Sequence, residues 1–124
     1  MFELSTEEAR LLLEIALMAT GQNRFKTATT LLAALEPFRA QEPSLAVAKA
    51  ILFISLQDFA GAVAYIDGDA LPRFPDSAML QAFKGMALLR LQRPMEAREA
   101  LLAAQRPGSD PAAAHLAADL MMHT

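Results

Sequence analysis

Two histidines and an aspartate recur at four-residue intervals near the carboxyl end of the sequence. His115, Asp119 and His123 stand at i, i+4 and i+8, so a helix would place these three candidate metal ligands on one face. His123 is followed by a single residue in the sequence, and the ends of helices fray, which leaves two ligands at most for a cation. We therefore interpret the trio as a solvated helix face and predict no metal site.

Few other residues could carry catalysis. Glu7 and Glu8 are adjacent acids, but acids also stabilise the start of a helix through its dipole. Asp67 and Asp69 flank Gly68, as in a turn that ends a helix. The sequence has no Cys and no Gly-rich phosphate loop, so it offers neither a thiol nucleophile nor a nucleotide-binding loop. We predict that the protein is not an enzyme and has no cofactor.

The carboxyl-terminal third of the sequence is mildly basic. It contains Arg90, Arg93, Arg98 and Arg106, side chains that suit helix C-termini and a solvated surface. The whole chain has a net charge of −3, and no aromatic residue is interleaved with these arginines. Because nucleic-acid binding needs a basic footprint and stacking side chains, we expect no nucleic-acid partner.

Helices must position all of these residues, because the composition favours helices over strands. Of the 124 residues, 26 are Ala and 20 are Leu, against two Val and four Ile. Ala and Leu are strong helix formers, whereas β-branched residues favour strands. The predicted fold class is therefore all-α, and at this length we expect a single domain over residues 1–124.

The chain is unusually apolar for a domain in water, with 54% hydrophobic and 20% charged residues. No apolar run reaches the roughly 18 residues of a membrane-spanning helix, and Lys49 interrupts the best candidate, Leu45 to Ile54. The amino terminus, with Glu3, Glu7 and Glu8, lacks the basic start and apolar run of a secretory signal. We expect a cytoplasmic protein without membrane insertion, whose excess apolar surface a partner covers.

Capping residues, prolines and glycines predict seven helices. Ser5 and Glu8 form a capping-box pattern, Pro37 is expected to stop the second helix, and the Asp67–Asp69 triplet to stop the fourth. We expect Leu71–Pro75 to be the longest irregular connection. The predicted helices are Thr6 to Gly21, about Phe25 to Glu36, from a Ser44 cap to about Leu56, Ala60 to Ile66, from an Asp76 cap to Leu91, Pro94 to Gln105, and a last one from an Asp110 cap and Pro111.

Three pairs of these helices repeat along the chain. Aligning the second helix of each pair gives Ala28, Ala62 and Ala97, which are 34 and 35 residues apart. A small residue in the middle of each first helix lets the two helices of a pair approach closely. The columns that keep this register are Ala16, Ala50 and Gly85, which are all small, and Leu32, Ile66 and Leu101, which share a face.

This period and these columns resemble the tetratricopeptide repeat over about residues 9–107. The residues that carry the likeness are Gly21 and Phe25 before Ala28, Asp58 and Phe59 before Ala62, and Gly85 and Ala97 in the third repeat. The chain departs from the pattern at Leu12, Ala46 and Gln81, where a large aromatic residue is usual. The resemblance implies a right-handed α-solenoid of three degenerate helix pairs, at about residues 6–40, 44–70 and 76–107, with a capping helix at 110–122; an irregular helical bundle is the alternative.

In such a solenoid the first helices line the concave side, and the repeat register assigns three columns to it. Eight of the nine column residues are apolar, so we predict a groove that binds the apolar face of an amphipathic helix. The last helix or the Leu71–Pro75 segment could instead cover this groove. The columns are Leu13, Val47 and Ala82; Leu17, Ile51 and Met86; and Thr20, Ile54 and Leu89, with Met79 at the edge.

Size, repeat number and groove chemistry resemble bacterial type III secretion chaperones of the YscG/PscG type and the related HrpB1-like proteins. The likeness is seen in the stretches Leu17–Gln22 and Ser55–Ala62. The resemblance implies a bacterial cytoplasmic chaperone that keeps a needle subunit monomeric by binding its amphipathic helix. It further implies a small helical co-chaperone, with Leu11, Leu12 and Ile15 as its candidate surface. The alternative is a general tetratricopeptide scaffold or a self-associating regulator, such as a homodimer.

Overall fold

The computed structural model describes residues 5–39 and 42–122, and within these ranges the protein is all-α, with no residue in a β-strand. The prediction of the fold class is therefore confirmed. The fourth helix continues through a π-helical segment, Ile66–Ala70, and a short α-helical turn, Leu71–Arg73. The helices are α1 (Thr6–Gly21), α2 (Phe25–Arg39), α3 (Pro43–Ser55), α4 (Phe59–Tyr65), α5 (Ala78–Arg90), α6 (Pro94–Ala104) and α7 (Pro111–Met121).

Two helix starts follow the predicted capping chemistry. The Ser5 hydroxyl accepts a hydrogen bond from the Glu8 amide at 3.1 Å, and the Glu8 carboxylate accepts one from the Ser5 amide at 3.3 Å. This reciprocal pair is the capping box, which satisfies two amides that the first turn leaves unpaired. The Asp110 carboxylate likewise accepts from the Ala112 amide at 3.1 Å, and Pro111 occupies the first turn of α7.

The chain divides into two compact units, Met1–Gln57 and Asp58–Thr124. In the first unit, α1, α2 and α3 pack against one another in all three pairings. Lys49 of α3 forms an ion pair with Glu36 of α2, which joins the two helices at the edge of their contact. The core of this unit consists of Ala9, Leu13, Ala16, Ala19, Ala28, Leu32, Leu35, Leu45, Ala48 and Leu52.

In the second unit α5 is central, since it packs against α4, α6 and α7. Lys84 of α5 forms an ion pair with Asp67 of the π-helical segment at 2.8 Å. The Arg90 guanidinium lies over the Phe59 ring, 5.0 Å from its centroid, and this cation–π contact joins α5 to α4. The core consists of Ala78, Ala82, Leu101, Ala104, Ala113 and Ala117.

Pro37 does not end α2, contrary to the prediction, because the helix continues to Arg39. A proline removes one amide donor, but it does so here in the last turn, where few bonds remain to be lost. Leu35, two residues earlier, is fully buried and anchors that turn. Ser44 is also not a cap: α3 begins at Pro43, and its N-cap residue is Glu42, whose side chain makes no capping hydrogen bond.

The Asp67–Asp69 triplet does not break the fourth helix, and the predicted irregular connection at Leu71–Pro75 is helical as far as Arg73. Ile66 and Ala70, the first and last residues of the π-helical segment, are both fully buried. The intervening acids are paired: Asp67 with Lys84, and Asp69 with Arg73 at 3.2 Å. Burial and ion pairing thus outweigh the low helix propensity of Asp and Gly.

The start of α5 also differs by one residue from the prediction. Ser77, and not Asp76, is the N-cap, and its hydroxyl accepts from the Leu80 amide at 3.3 Å. Among the residues that the structure describes, none of the helices has the length and apolar character that crossing a membrane requires.

Candidate partner-binding surface

The column residues of the first unit differ in how accessible they are. Leu13 is buried in the core of the unit, and Thr20 is buried with its hydroxyl donating to the Ala16 carbonyl at 2.9 Å. Leu17 is 36% exposed, whereas Val47, Ile51 and Ile54 are partly buried. The surface that α1 and α3 offer to a partner therefore consists of Leu17 and the accessible parts of the α3 side chains, while Leu13 belongs to the core.

In the second unit, α7 covers part of the predicted column. Ala82 is fully buried in the same cluster as Ala113 and Ala117 of α7. Met79 and Leu89 are partly buried and pack against that cluster, whereas Met86 is partly buried outside it. Of the alternatives for the last helix, packing on α5 and α6 is the arrangement found within this unit.

The outward face of α1 carries an apolar stripe that the sequence identified only in part. Leu11 is 57% exposed and Ile15 41%, while Leu12 packs against the core. Met18, which sequence reasoning missed, is 62% exposed. Its spacing could have revealed it, because it follows Leu11 by seven residues and Ile15 by three, the intervals that place helical residues on one face.

The same unusual turn follows each first helix. Asn23, Gln57 and Gln92 have φ of 62°, 61° and 60°, the left-handed region that non-glycine residues seldom occupy. They are 34 and 35 residues apart. After α1 the Arg24 amide donates to the Ala19 carbonyl at 2.7 Å, and after α5 the Arg93 amide donates to the Leu88 carbonyl at 2.9 Å. These six-to-one bonds are Schellman motifs, which end a helix and reverse the chain.

The pairing of α5 with α6 depends on the absence of a side chain at Gly85. A Cβ placed there would lie 2.6 Å from Leu101 Cγ and 3.3 Å from the Ala97 carbonyl oxygen. Ala97 and Leu101 are both fully buried. The predicted role of a small residue at this column is therefore confirmed for the second unit.

No protein-family model, curated protein or solved structure matches the chain. Its surface must therefore be interpreted from its own residues.

The candidate catalytic and metal-binding residues either have a structural role or lie apart from one another. His115 Nε2 lies 3.5 Å from the Asp119 carboxylate on an exposed face of α7, and His123 lies outside the described residues. Within residues 5–39 and 42–122 no group of three His, Cys, Asp or Glu side chains is arranged to hold a metal ion. An open pocket of about 200 Å³ contains Ser77 and Arg106, but the Ser77 hydroxyl is already the cap of α5.

Proposed function

We propose that the protein is a tetratricopeptide-like helical-repeat chaperone that binds the amphipathic helix of a type III secretion needle subunit and keeps that subunit from polymerising. The observation that carries this proposal is the set of aliphatic side chains on the first helices that their own unit leaves accessible. Leu17, Val47, Ile51 and Met86 are apolar and incompletely buried. Such side chains at helical spacing suit the apolar face of a partner helix.

The repeat assignment is supported by backbone geometry. A left-handed residue follows α1, α3 and α5 at intervals of 34 and 35 residues, the interval that the Ala28, Ala62 and Ala97 column also keeps. A repeated turn of one geometry gives each helix pair the same internal reversal, as repeat proteins require. The right-handed solenoid and the bacterial cytoplasmic setting belong to this proposal.

Apolar chemistry also suits the proposed task. An amphipathic helix that would otherwise polymerise can be held by burial of its apolar face, and ordering a disordered segment offsets much of the free energy gained. The complex is then stable but releasable, as delivery to a secretion channel demands. The co-chaperone proposed with this function would use Leu11 and Ile15 of the exposed face, with Leu12 as part of the core beneath.

The decisive experiment is co-expression with a type III secretion needle subunit. We expect a stoichiometric complex in which the subunit does not form filaments. Leu17→Glu combined with Ile51→Glu should abolish complex formation while circular dichroism stays nearly unchanged. Met95→Glu, on an exposed apolar residue of α6, is the matched control and should leave the complex intact.

Three results would contradict parts of the proposal. Loss of helicity in the double variant would make Leu17 and Ile51 core residues, in which case the single Leu17→Glu variant decides whether the surface binds. Wild-type protein that does not bind the needle subunit but binds unrelated amphipathic helices would indicate a general repeat scaffold. A clean monomer that binds neither would exclude both functions.

A further inference from the structure

The apolar stripe on α1 lies beside two acids that have no ion-pair partner among the described residues. Leu11, Ile15 and Met18 are exposed on the outward face. Glu7 and Glu14 lie beside them, are exposed, and form no ion pair with any residue in the described ranges. The face therefore consists of apolar contacts flanked by Glu7 and Glu14, with the exposed Arg10 one turn from each acid.

A second exposed stripe, on α6, has the same spacing and the opposite charge. Met95 is 82% exposed and Leu102 49%. Arg98 is also exposed, and it has no ion-pair partner in the part of the chain that the structure describes. Arg93 is different, because its Nε donates to Glu96 at 3.0 Å.

The two stripes match residue by residue. Leu11, Glu14 and Met18 have the relative spacing 0, 3 and 7, and Met95, Arg98 and Leu102 have it too. Residues at these intervals share one helix face. When two such helices pack antiparallel, the flank that carries Glu14 meets the flank that carries Arg98, within about one residue's rise of 1.5 Å.

The antiparallel register also aligns the apolar residues of the two stripes. Placing Leu11 opposite Leu102 puts Met18 opposite Met95, because each pair of apolar residues is seven apart. On the α6 face the acid Glu99 lies on the flank opposite Arg98, away from Glu14.

We propose that α1 of one copy docks antiparallel on α6 of a second copy, with apolar contact along the stripes and an ion pair from Glu14 to Arg98 of the second copy. This inference does not rest on the chaperone function, since it requires no partner other than the chain itself, and a co-chaperone bound to Leu11 and Ile15 would compete with it. The contact is heterologous: each copy that uses its α1 still has a free α6, so association continues into a ring or an open chain.

The size of the contact sets the concentration at which it forms. A single helix packed on another lies at the small end of specific interfaces, below about 1,200 Å². We therefore expect a weight-average mass that rises with concentration from the micromolar to the millimolar range, measured by sedimentation velocity. Charge placement gives specificity to such a contact, because like charges brought together weaken it.

Charge reversal on either face provides a sharp test. Glu14→Arg places two arginines together and Arg98→Glu two carboxylates, so each single variant should associate at least about tenfold more weakly. Each variant nevertheless retains one native face, and these two faces are complementary. An equimolar mixture should therefore regain self-association, because the two native faces pair with each other and the two altered faces, which carry opposite charges, pair as well. The double variant restores opposite charges and should associate like the wild type.

A charge reversal away from the two stripes serves as the control for this test. Lys26→Glu, an exposed charge reversal on α2, should leave self-association unchanged. All variants should keep wild-type circular dichroism, since the altered residues are exposed. Wild-type protein that stays monomeric throughout the concentration range would overturn the proposal. So would self-association that Arg98→Glu leaves intact, because this would point to pairing of α1 with α1.

Discussion

At the residue scale, Gly85 sets how closely α5 and α6 can approach. The space that a side chain would occupy at Gly85 is filled by Leu101, a fully buried neighbour, and by the carbonyl of Ala97. Neither can withdraw without disturbing the core, since protein interiors are close-packed.

Gly85→Val should therefore destabilise the protein by about 2–3 kcal/mol, through overpacking of the contact with Leu101. Urea unfolding followed by circular dichroism measures the change. Gly21→Ala is the matched control, because a Cβ at Gly21 meets nothing within 4 Å; it should stabilise α1 by up to about 1 kcal/mol. Equal responses at the two glycines would contradict the close approach.

The left-handed turn residues give a second test with one substitution in two conformations. Gln92 has φ of 60°, whereas Gln22 has φ of −97°. Gln92→Gly should stabilise the protein by about 0.5–1 kcal/mol, since glycine adopts the left-handed region without steric cost. Gln22→Gly should destabilise it by a similar amount, because it only adds freedom to the unfolded chain. Thermal denaturation of both variants checks the opposite signs.

The sequence predicted some of these residues for the right reason and missed others. Gly85 was identifiable because a small residue recurs at its column. Asn23, Gln57 and Gln92 were missed because left-handed turns are usually recognised by glycine, and none stands at these positions. The signal available in the sequence was the common interval between these residues. Polar residues at that interval indicate a repeated turn only when they are compared within the repeat.

At the element scale, the sequence predicted where helices exist better than where they stop. Pro37 and Gly68 are local signals of helix termination, and both lie inside helical structure. Leu35, Ile66 and Ala70 are fully buried beside them, and that tertiary packing outweighs intrinsic propensity. A proline or a glycine therefore predicts the end of a helix only where no neighbouring residue is buried in the core.

The start of α5 distinguishes a true cap from its neighbour. Ser77→Ala removes the acceptor for the Leu80 amide and should cost about 1 kcal/mol. Asp76→Ala should cost less, since Asp76 contributes only a favourable charge near the helix start. Chemical denaturation of the two variants, with Ser77→Thr as a conservative control, measures the difference. A larger loss of stability in Asp76→Ala than in Ser77→Ala would indicate that Asp76 is the cap.

At the scale of the whole molecule, the surplus of Ala and Leu has two uses. Small residues such as Ala28 and Ala97 lie at buried contacts within their units, whereas Leu11, Leu17 and Met95 stay on the surface. The sequence predicted this division in outline, but it assigned some residues to the wrong side. Leu13 and Ala82 were assigned to the groove from a repeat register, yet packing between helices buries them, and a register alone does not contain that packing.

A partner that covers the exposed aliphatic side chains should stabilise the folded chain as a whole. Ligand at about 100 times its dissociation constant adds about 2.7 kcal/mol to folding, which for a chain of this length raises Tm by about 10 °C. We expect this shift in differential scanning fluorimetry with a peptide of the needle subunit's amphipathic helix. The Leu17→Glu, Ile51→Glu variant should show none, nor should a peptide whose apolar positions are replaced by Gln. A shift that survives in the double variant would locate the bound helix elsewhere, and the Glu14→Arg variant would then test whether α1 holds it.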